Sequence, residues 1–201
     1  DVLMQVVFHA QMEAEEGSFT FEDVADGVCK KLIERHPHVF GEVEVTGSEE
    51  VLRNWDDIKK RSKGQTSQTE TMRSVPRELP ALMRATKVQK KAAKVGFDWP
   101  DISGAVDKLY EETAELSGAI ESGSEEEIAE ELGDLLFSAV NVARFAGCDA
   151  EETLTAATDK FMRRFACVEE KARERGLKLE ELSLSELDGL WDEAKLDLLS
   201  K

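Results

Sequence analysis

The sequence has few of the residues that typify disulfide-rich, β-rich or membrane-spanning proteins. Of its 201 residues, three are cysteine, four are proline and 6% are aromatic. The cysteines (Cys29, Cys148 and Cys167) are odd in number and show no Cys-x-x-Cys spacing, so we expect no disulfide framework and a reducing, cytoplasmic location. No apolar run reaches the roughly 18 residues of a membrane span. No basic stretch precedes an apolar segment at the N-terminus, so no signal peptide and no membrane partner are expected.

Positive charge is also scarce, because 26 basic residues face 43 acidic ones and the net charge is −17. A chain this acidic repels phosphate backbones, so we do not expect a nucleic acid polymer as partner. Much of the acidity serves solubility. Apolar residues make up 41% of the chain, which is ample for a packed core, and the abundance of Ala, Glu, Leu and Lys favours helix. We therefore predict an all-α fold.

Apolar residues recur with helical spacing along most of the chain. The pattern predicts helices over 1–16, 20–36, 48–62, 80–95, 103–122, 125–146, 150–175 and 185–199. Ser103 and Ser124 are predicted N-caps, and Ser124 is followed by Glu127 at the spacing of a capping box. Residues 62–80 are polar and contain a glycine and two prolines, which indicates a linker.

Three motifs of the N-terminal half recur in the same order in the C-terminal half, which indicates two copies of one helical unit. The matched pairs are Asp1-Val-Leu-Met with Asp134-Leu-Leu-Phe, Lys31-Leu-Ile-Glu-Arg35 with Lys160-Phe-Met-Arg-Arg164, and Trp55-Asp-Asp-Ile-Lys59 with Trp191-Asp-Glu-Ala-Lys195. We predict an N-terminal module at 1–62, a linker at 63–80 and a C-terminal module at 81–201.

The first copy departs from the second at its beginning. Asp1 leads directly into what reads as the interior of a helix, and no acidic helix precedes it in this sequence. Phe8 stands where the second copy has Asn141. We therefore expect a fragment of a longer protein in which the first module is incomplete, inactive and used for packing or dimerisation.

Two predicted helices carry paired acids at the same angle to their apolar faces. Glu112 and Glu115 stand three and six residues after a stripe leucine, and Glu131 and Asp134 stand three and six residues after a stripe isoleucine. If the apolar faces pack antiparallel, the four carboxylates converge and need protons or cations. Oxygen ligands of this kind suit Mg²⁺ or Mn²⁺. Asn141 lies on the same face and could hold a substrate group or a metal-bound water.

Two other interpretations of these acids stay open. Glutamates on a solvated helix face are common, and that explanation fits Glu125, Glu126, Glu127 and Glu130. A di-iron bundle is less favoured, because it usually needs Glu-x-x-His motifs and all three histidines lie in the first copy.

The acid pairs resemble a known signature. Glu111-Glu112-x-x-Glu115 followed by Glu131-x-x-Asp134 is similar to the EExxE…ExxD motif of the MazG-type nucleoside triphosphate pyrophosphohydrolases. The resemblance covers essentially the whole chain and is to the two-repeat bacterial members. Its other matching segments are 95–99, 131–137, 160–165 and 191–195 in the second unit, and 35–40 and 80–83 in the first unit and connector.

This resemblance implies tandem, all-α modules that form dimers of the four-helix-bundle type. It implies hydrolysis of nucleoside triphosphates to the monophosphate and pyrophosphate, with Mg²⁺. The implied metal ligands are Glu112, Glu115, Glu131 and Asp134. Lys160 and Arg164 would neutralise phosphate charge, and Trp191 and Lys195 would close over the nucleotide from the last helix.

The chemistry of a triphosphate agrees with these roles. It carries about four negative charges, so an acidic protein needs both metal and a local basic cluster to hold it. Lys160 and Arg164 lie one helical turn apart, and the adjacent Arg163 could serve instead, although an ordinary basic patch remains an alternative. Metal would polarise the phosphoryl oxygens and lower the pKa of a bound water. Glu111 and Glu112 are the candidates for the general base.

The tryptophans have two interpretations each. Trp191 is expected to anchor the core or a dimer interface, to stack on a base, or both. Core packing is the default for Phe97 and Trp99, with base contact as a further possibility.

A different functional class also stays open, namely a non-catalytic dimerisation or regulatory protein with a structural metal site.

Overall fold

The computed structural model describes residues 1–41, 43, 47, 51, 54–55, 58, 62 and 64–199. Its helices are α1 (Val2–Glu15), α2 (Phe21–Arg35), α3 (Pro37–Phe40), α4 (Gln68–Arg73), α5 (Ala81–Ala93), α6 (Ile102–Ser122), α7 (Glu125–Phe145), α8 (Ala150–Glu174) and α9 (Leu184–Leu199), with a 3₁₀ turn at Leu179–Glu181. No strand occurs among these residues, so the predicted all-α fold is confirmed. The predicted helix over 48–62 lies largely outside the described residues. None of the described helices is long and apolar enough to cross a membrane.

Contacts divide the chain into two units, Asp1–Thr71 and Met72–Lys201. The segment expected to be a linker contains α4. The module boundaries drawn from the repeat stay a prediction.

In the first unit, α1 packs against α2. A capping box starts α2, because Thr20 Oγ1 accepts the Asp23 N–H at 3.3 Å and Asp23 Oδ2 accepts the Thr20 N–H at 2.8 Å. Ala10 is buried, whereas Leu3 and Phe8 are exposed. Much of the apolar surface of α1 is therefore uncovered in this chain.

In the second unit, α8 and α9 form the main hydrophobic core. Ion pairs reinforce the pairing of these helices, with Lys171 Nζ 2.7 Å from Asp197 Oδ2 and an Arg175 guanidinium nitrogen 2.5 Å from Glu193 Oε2. Arg175 holds the pKa of Glu193 below its usual range. The buried core residues are Val168, Ala172, Leu190 and Ala194.

Helices α6 and α7 form an antiparallel hairpin because only two residues separate them. Gly123 adopts the left-handed conformation with φ of 75°, and its N–H donates to the carbonyl of Ala119. Ser124 Oγ then accepts the Glu127 N–H at 3.3 Å, which confirms Ser124 as the N-cap of α7. The Glu127 carboxylate accepts a hydrogen bond from Ser122 Oγ.

The start of α6 differs from the prediction. Asp101, not Ser103, is the N-cap, because its carboxylate accepts the Ser103 N–H at 2.8 Å and the helix begins at Ile102. Helix α5 packs across α7 and α8, and Gln89 Nε2 donates to the carbonyl of Phe137 at 2.8 Å. The hairpin that carries the acid pairs is thus held from outside by α5.

Candidate functional site

Three carboxylates meet between the two helices of the hairpin. Glu112 and Glu115 of α6 and Glu131 of α7 each offer an oxygen, and these oxygens lie within 4.8 Å of one another. Glu112 is only 4% exposed, Glu131 is half-buried and Glu115 is exposed. The arrangement places a concentrated negative charge at the edge of the helix interface.

The pKa of Glu131 is raised above its usual range for two reasons. It is raised by desolvation first, and then by the charges of Glu115, Glu112, Asp134 and Glu130. Asp134 is therefore electrostatically coupled to the cluster. Asp134 is not one of the three residues whose carboxylate oxygens lie within 4.8 Å of one another.

Lys108 is the cation of this site, and sequence reasoning missed it. Its ammonium lies 2.6 Å from Glu112 Oε1 and 2.8 Å from Glu111 Oε1, one helical turn away on α6. Both hydrogen bonds raise the pKa of Lys108. The i, i+3 and i, i+4 spacing to these two glutamates was the available signal. Glu111 itself points away from the core, with 58% of its side chain exposed.

Asn141 lies in a hydrogen-bonded chain that anchors the loop before α6. The residue is buried, and its Oδ1 accepts a hydrogen bond from Arg144 Nε at 2.9 Å. Arg144 also binds both oxygens of Asp98, at 2.9 and 2.6 Å, and holds the pKa of that carboxyl below its usual range. The Asn141 carbonyl is thereby committed, which leaves the amide N–H₂ to donate elsewhere. No sequence motif predicts the bond between Arg144 and Asp98, because these residues are 46 positions apart.

Trp99 lies on the outside of α6. Its indole packs against Gly104, where an added Cβ would come within 2.2 Å of Trp99 Cδ1. Trp99 as a residue is 39% exposed, and a cavity of about 280 Å³ borders it. The adjacent Phe97 is highly exposed, so the expectation that it packs in a core does not hold within this chain. The cavity is lined by Gly96, Phe97, Asp98 and Trp99.

The predicted basic group lies on α8 and α9. Arg164 is half-buried, with its guanidinium carbon 5.9 Å from the centroid of the Trp191 ring. Trp191 also contacts Phe161 at a centroid distance of 5.1 Å and packs against the α8–α9 core. Lys160 and Arg163 are exposed.

Lys195 pairs with Asp192 at 2.7 Å on the same helix. Within the described residues, no hydrogen bond or ion pair joins the basic group to the three carboxylates. Trp191 packs against the core, as the sequence predicts. Its ring also lies beside Arg164, so stacking on a base stays a prediction that is compatible with this packing.

Comparisons with known proteins place the whole arrangement in one family. The chain matches the MazG nucleotide pyrophosphohydrolase domain over residues 1–40 and 103–168, a match that falls in both units and covers the α6–α7 hairpin from residue 103 onward. It is 44% identical to the nucleoside triphosphate pyrophosphohydrolase of Escherichia coli strain K12 over 197 residues, or 97% of this chain and 75% of the relative.

Two further relatives cover the same span. The nucleoside triphosphate pyrophosphohydrolase/pyrophosphatase MazG of Thermotoga maritima is 45% identical over 97% of this chain and 73% of its own length. The uncharacterized protein YabN of Bacillus subtilis is 50% identical over 97% of this chain and 40% of its own length. The chain therefore belongs to the family of MazG nucleotide pyrophosphohydrolases.

Proposed function

We propose that the C-terminal unit hydrolyses nucleoside triphosphates to the nucleoside monophosphate and pyrophosphate with the help of Mg²⁺, for which Mn²⁺ can substitute. The observation that carries this proposal is that carboxylate oxygens of Glu112, Glu115 and Glu131 lie within 4.8 Å of one another and that Glu112 is buried. The family membership and the names of the relatives support the reaction class.

The donor set fits a hard divalent cation. Carboxylate oxygens are the ligands that Mg²⁺ and Mn²⁺ prefer, and desolvation and then the neighbouring carboxylates raise the pKa of Glu131. Glu112, Glu115, Glu131 and the coupled Asp134 would hold the ion. When bound, the metal would polarise the phosphoryl oxygens and offset their charge.

Residues of the chain supply the remaining chemistry. Glu111 is exposed and next to the buried ligand, so it is placed to accept the proton of the attacking water, with Glu112 as the alternative. The Asn141 amide protons would donate to a substrate oxygen while Arg144 fixes the side chain. Orientation by fixed donors is how a phosphoryl-transfer site without a covalent step gains most of its rate.

Charge on the phosphates would be offset by the cations of α8. Lys160, Arg163 and Arg164 offer three positive groups on neighbouring positions of one helix. Trp191 and Lys195 would close over the nucleotide from α9. Trp99, which is partly exposed beside a cavity, would contact a base.

We also infer a homodimer and a cytoplasmic location. Apolar side chains on α7 and α8 remain exposed in the single chain, including Leu136, Phe137, Phe161 and Met162. Exposed apolar side chains of this kind are typical of a subunit interface. All three cysteines are free thiols, and two of them are exposed, which suits a reducing compartment.

The decisive experiment measures pyrophosphate and orthophosphate separately from a mixed pool of nucleoside triphosphates. We expect Mg²⁺-dependent release of pyrophosphate alone, and removal of Mg²⁺ by a chelator should abolish it. Glu112→Gln and Asp134→Asn should each lower kcat at least about a hundredfold. Glu121→Gln, the same change at an exposed position of α6, should leave the rate unchanged.

The opposite results would favour the alternative of a non-catalytic partner protein. A folded, dimeric protein that releases no pyrophosphate from any triphosphate would exclude the proposed reaction. Wild-type rates in both Glu112→Gln and Asp134→Asn would remove the cluster from the site.

A further inference from the structure

All three guanidinium nitrogens of Arg144 have partners. Nη1 and Nη2 donate to the two carboxylate oxygens of Asp98 at 2.9 and 2.6 Å, and Nε donates to Asn141 Oδ1 at 2.9 Å. The guanidinium carbon also lies 4.3 Å from the centroid of the Phe145 ring. The Arg144 side chain is only 12% exposed. A planar fork with this many partners is held in one orientation.

This bonding determines which end of the Asn141 amide is available to a ligand. Arg144 Nε can only donate, so the amide must present its oxygen to Arg144. In the reverse orientation, two donors would face each other at a residue that is only 8% exposed, which would leave both without an acceptor. The amide N–H₂ group is therefore turned away from Arg144. A ligand that reaches this amide meets a donor and must supply an acceptor.

Asn141 lies beyond the proposed metal ligands along α7. It follows Asp134 by seven residues and Glu131 by ten, which keeps it on the same face of the helix. At the rise of an α-helix, these separations are about 10 and 15 Å. Such a separation is comparable with the length of a nucleotide from its outer phosphates to its base. When a triphosphate is held at the carboxylates, the amide is thus placed for the nucleoside and not for the reacting phosphates.

The same ion pair also holds the loop that carries Trp99. Asp98 Oδ1 accepts the Trp99 N–H at 3.0 Å, and the Trp99 indole packs against Gly104 of α6. Arg144 therefore connects two groups that we expect to contact the nucleoside, the Asn141 amide and the Trp99 ring. Both contacts depend on one buried hydrogen-bonded chain.

We propose that Asp98 and Arg144 are positioning residues for nucleoside recognition, because they fix the Asn141 amide so that the site selects a nucleoside with a hydrogen-bond acceptor facing its N–H₂ group. This inference deepens the proposed function and rests on it, since it takes a triphosphate to lie at the carboxylates. Asp98 and Arg144 act through Asn141 and do not contact the substrate. Loss of either side chain frees the amide to turn and weakens nucleoside binding, whereas the contacts to metal and phosphate stay.

A pair of ligands separates nucleoside binding from phosphate binding. The first is the tightest binder among the α,β-methylene analogues of ATP, GTP, CTP and UTP, in which the bond proposed to be cleaved is blocked. The second is inorganic tripolyphosphate, which lacks the nucleoside. The Kd of each is measured with Mg²⁺ by isothermal titration calorimetry.

Arg144→Lys keeps the positive charge and removes the planar fork. It should weaken binding of the nucleotide analogue at least about tenfold and leave the affinity for tripolyphosphate unchanged. The matched control is Arg175→Lys, the same substitution at an arginine that pairs with Glu193 on another helix. This control should leave both affinities unchanged. A general loss of structure would weaken both ligands, so the selective effect distinguishes positioning from stability.

A double-mutant cycle tests whether Arg144 acts through Asn141. In an Asn141→Ala background, Arg144→Lys should cause little further loss of affinity for the analogue. The 2′,3′-dideoxy form of the same analogue then locates the acceptor. The effect of Arg144→Lys disappears with this ligand if a sugar hydroxyl is the acceptor, and persists if the acceptor is on the base.

Asp98→Asn covers the case in which Arg144→Lys does not fold, because asparagine keeps the shape of the side chain. It should weaken the analogue selectively, as Arg144→Lys does. Equal weakening of the analogue and tripolyphosphate by Asp98→Asn would overturn the proposal. So would an undiminished effect of Arg144→Lys in the Asn141→Ala background, or no binding of any analogue by the natural chain. These measurements need no turnover, so selective weakening in a protein that releases no pyrophosphate would sustain this proposal and refute the proposed hydrolysis.

Discussion

Replacing Glu112 by glutamine tests the metal assignment without any appeal to catalysis. The glutamine keeps the shape of the buried side chain and can still accept a hydrogen bond from Lys108, but it removes one of the three close carboxylate oxygens. At a Mg²⁺ concentration of about 100 times Kd, bound metal stabilises the natural chain by about 2.7 kcal/mol. Loss of one ligand weakens metal affinity by about a hundredfold, taking the upper end of the range measured for supporting partners.

At the same Mg²⁺ concentration, the variant would then gain only about 0.4 kcal/mol from the metal. The difference of about 2.3 kcal/mol corresponds to about 5 to 9 °C in Tm for a chain of this size. The Tm of each protein is measured with Mg²⁺ and with EDTA, and the shifts in Tm that Mg²⁺ causes are compared. Any effect of the substitution on the metal-free protein therefore cancels. Glu121→Gln is the control and should keep the full Mg²⁺ response. If Glu112→Gln gains as much in Tm from Mg²⁺ as the natural chain, the cluster does not hold the ion.

Two further predictions concern the loop before α6. Gly104→Ala should push the Trp99 indole off the helix and change its fluorescence, whereas Gly118→Ala, on the same helix with open space around it, should only stabilise α6 by about 0.5 to 1 kcal/mol. Asp98→Asn should lower the free energy of unfolding by about 1 kcal/mol at pH 7, because its ion pair with Arg144 is largely buried, at 23% and 12% exposure. The folded pKa of Asp98 is depressed, so this stability is fully present above the unfolded pKa and is lost as the pH falls through the folded pKa. In denaturant titrations, the difference between the two proteins should be full at pH 7 and should shrink as the pH falls below about 4.

The helices were largely predictable because their signals are local. The spacing of apolar residues and the Gly123-Ser124 break placed α7 within one residue of its observed bounds. Ser103 was a wrong N-cap, because Asp101 two residues earlier is also a strong capping residue and the pattern alone did not choose between them. The angular argument for the acids required only that two adjacent helices pack antiparallel, which the short turn enforces.

The contacts around the acids were harder to foresee. Lys108 follows a spacing rule and could have been found, whereas the bond from Arg144 to Asp98 joins residues 46 positions apart through a loop with no periodicity. Trp191 packs against the core while its ring also meets Arg164. Whether a tryptophan packs in the core or stacks on a ligand depends on which parts of its ring other residues cover, and the sequence pattern does not contain that information.

The two-residue turn between α6 and α7 has a consequence for how this protein can change. Surface turns usually accept insertions with little penalty. Here, each residue added after Gly123 would change the phase of α7 relative to α6 by about 100° if the helix continued unbroken, and Glu131 would then face away from Glu112 and Glu115. The exposed turn is consequently among the positions least able to vary in length, and a library of single-residue insertions should show it to be as intolerant as the buried core.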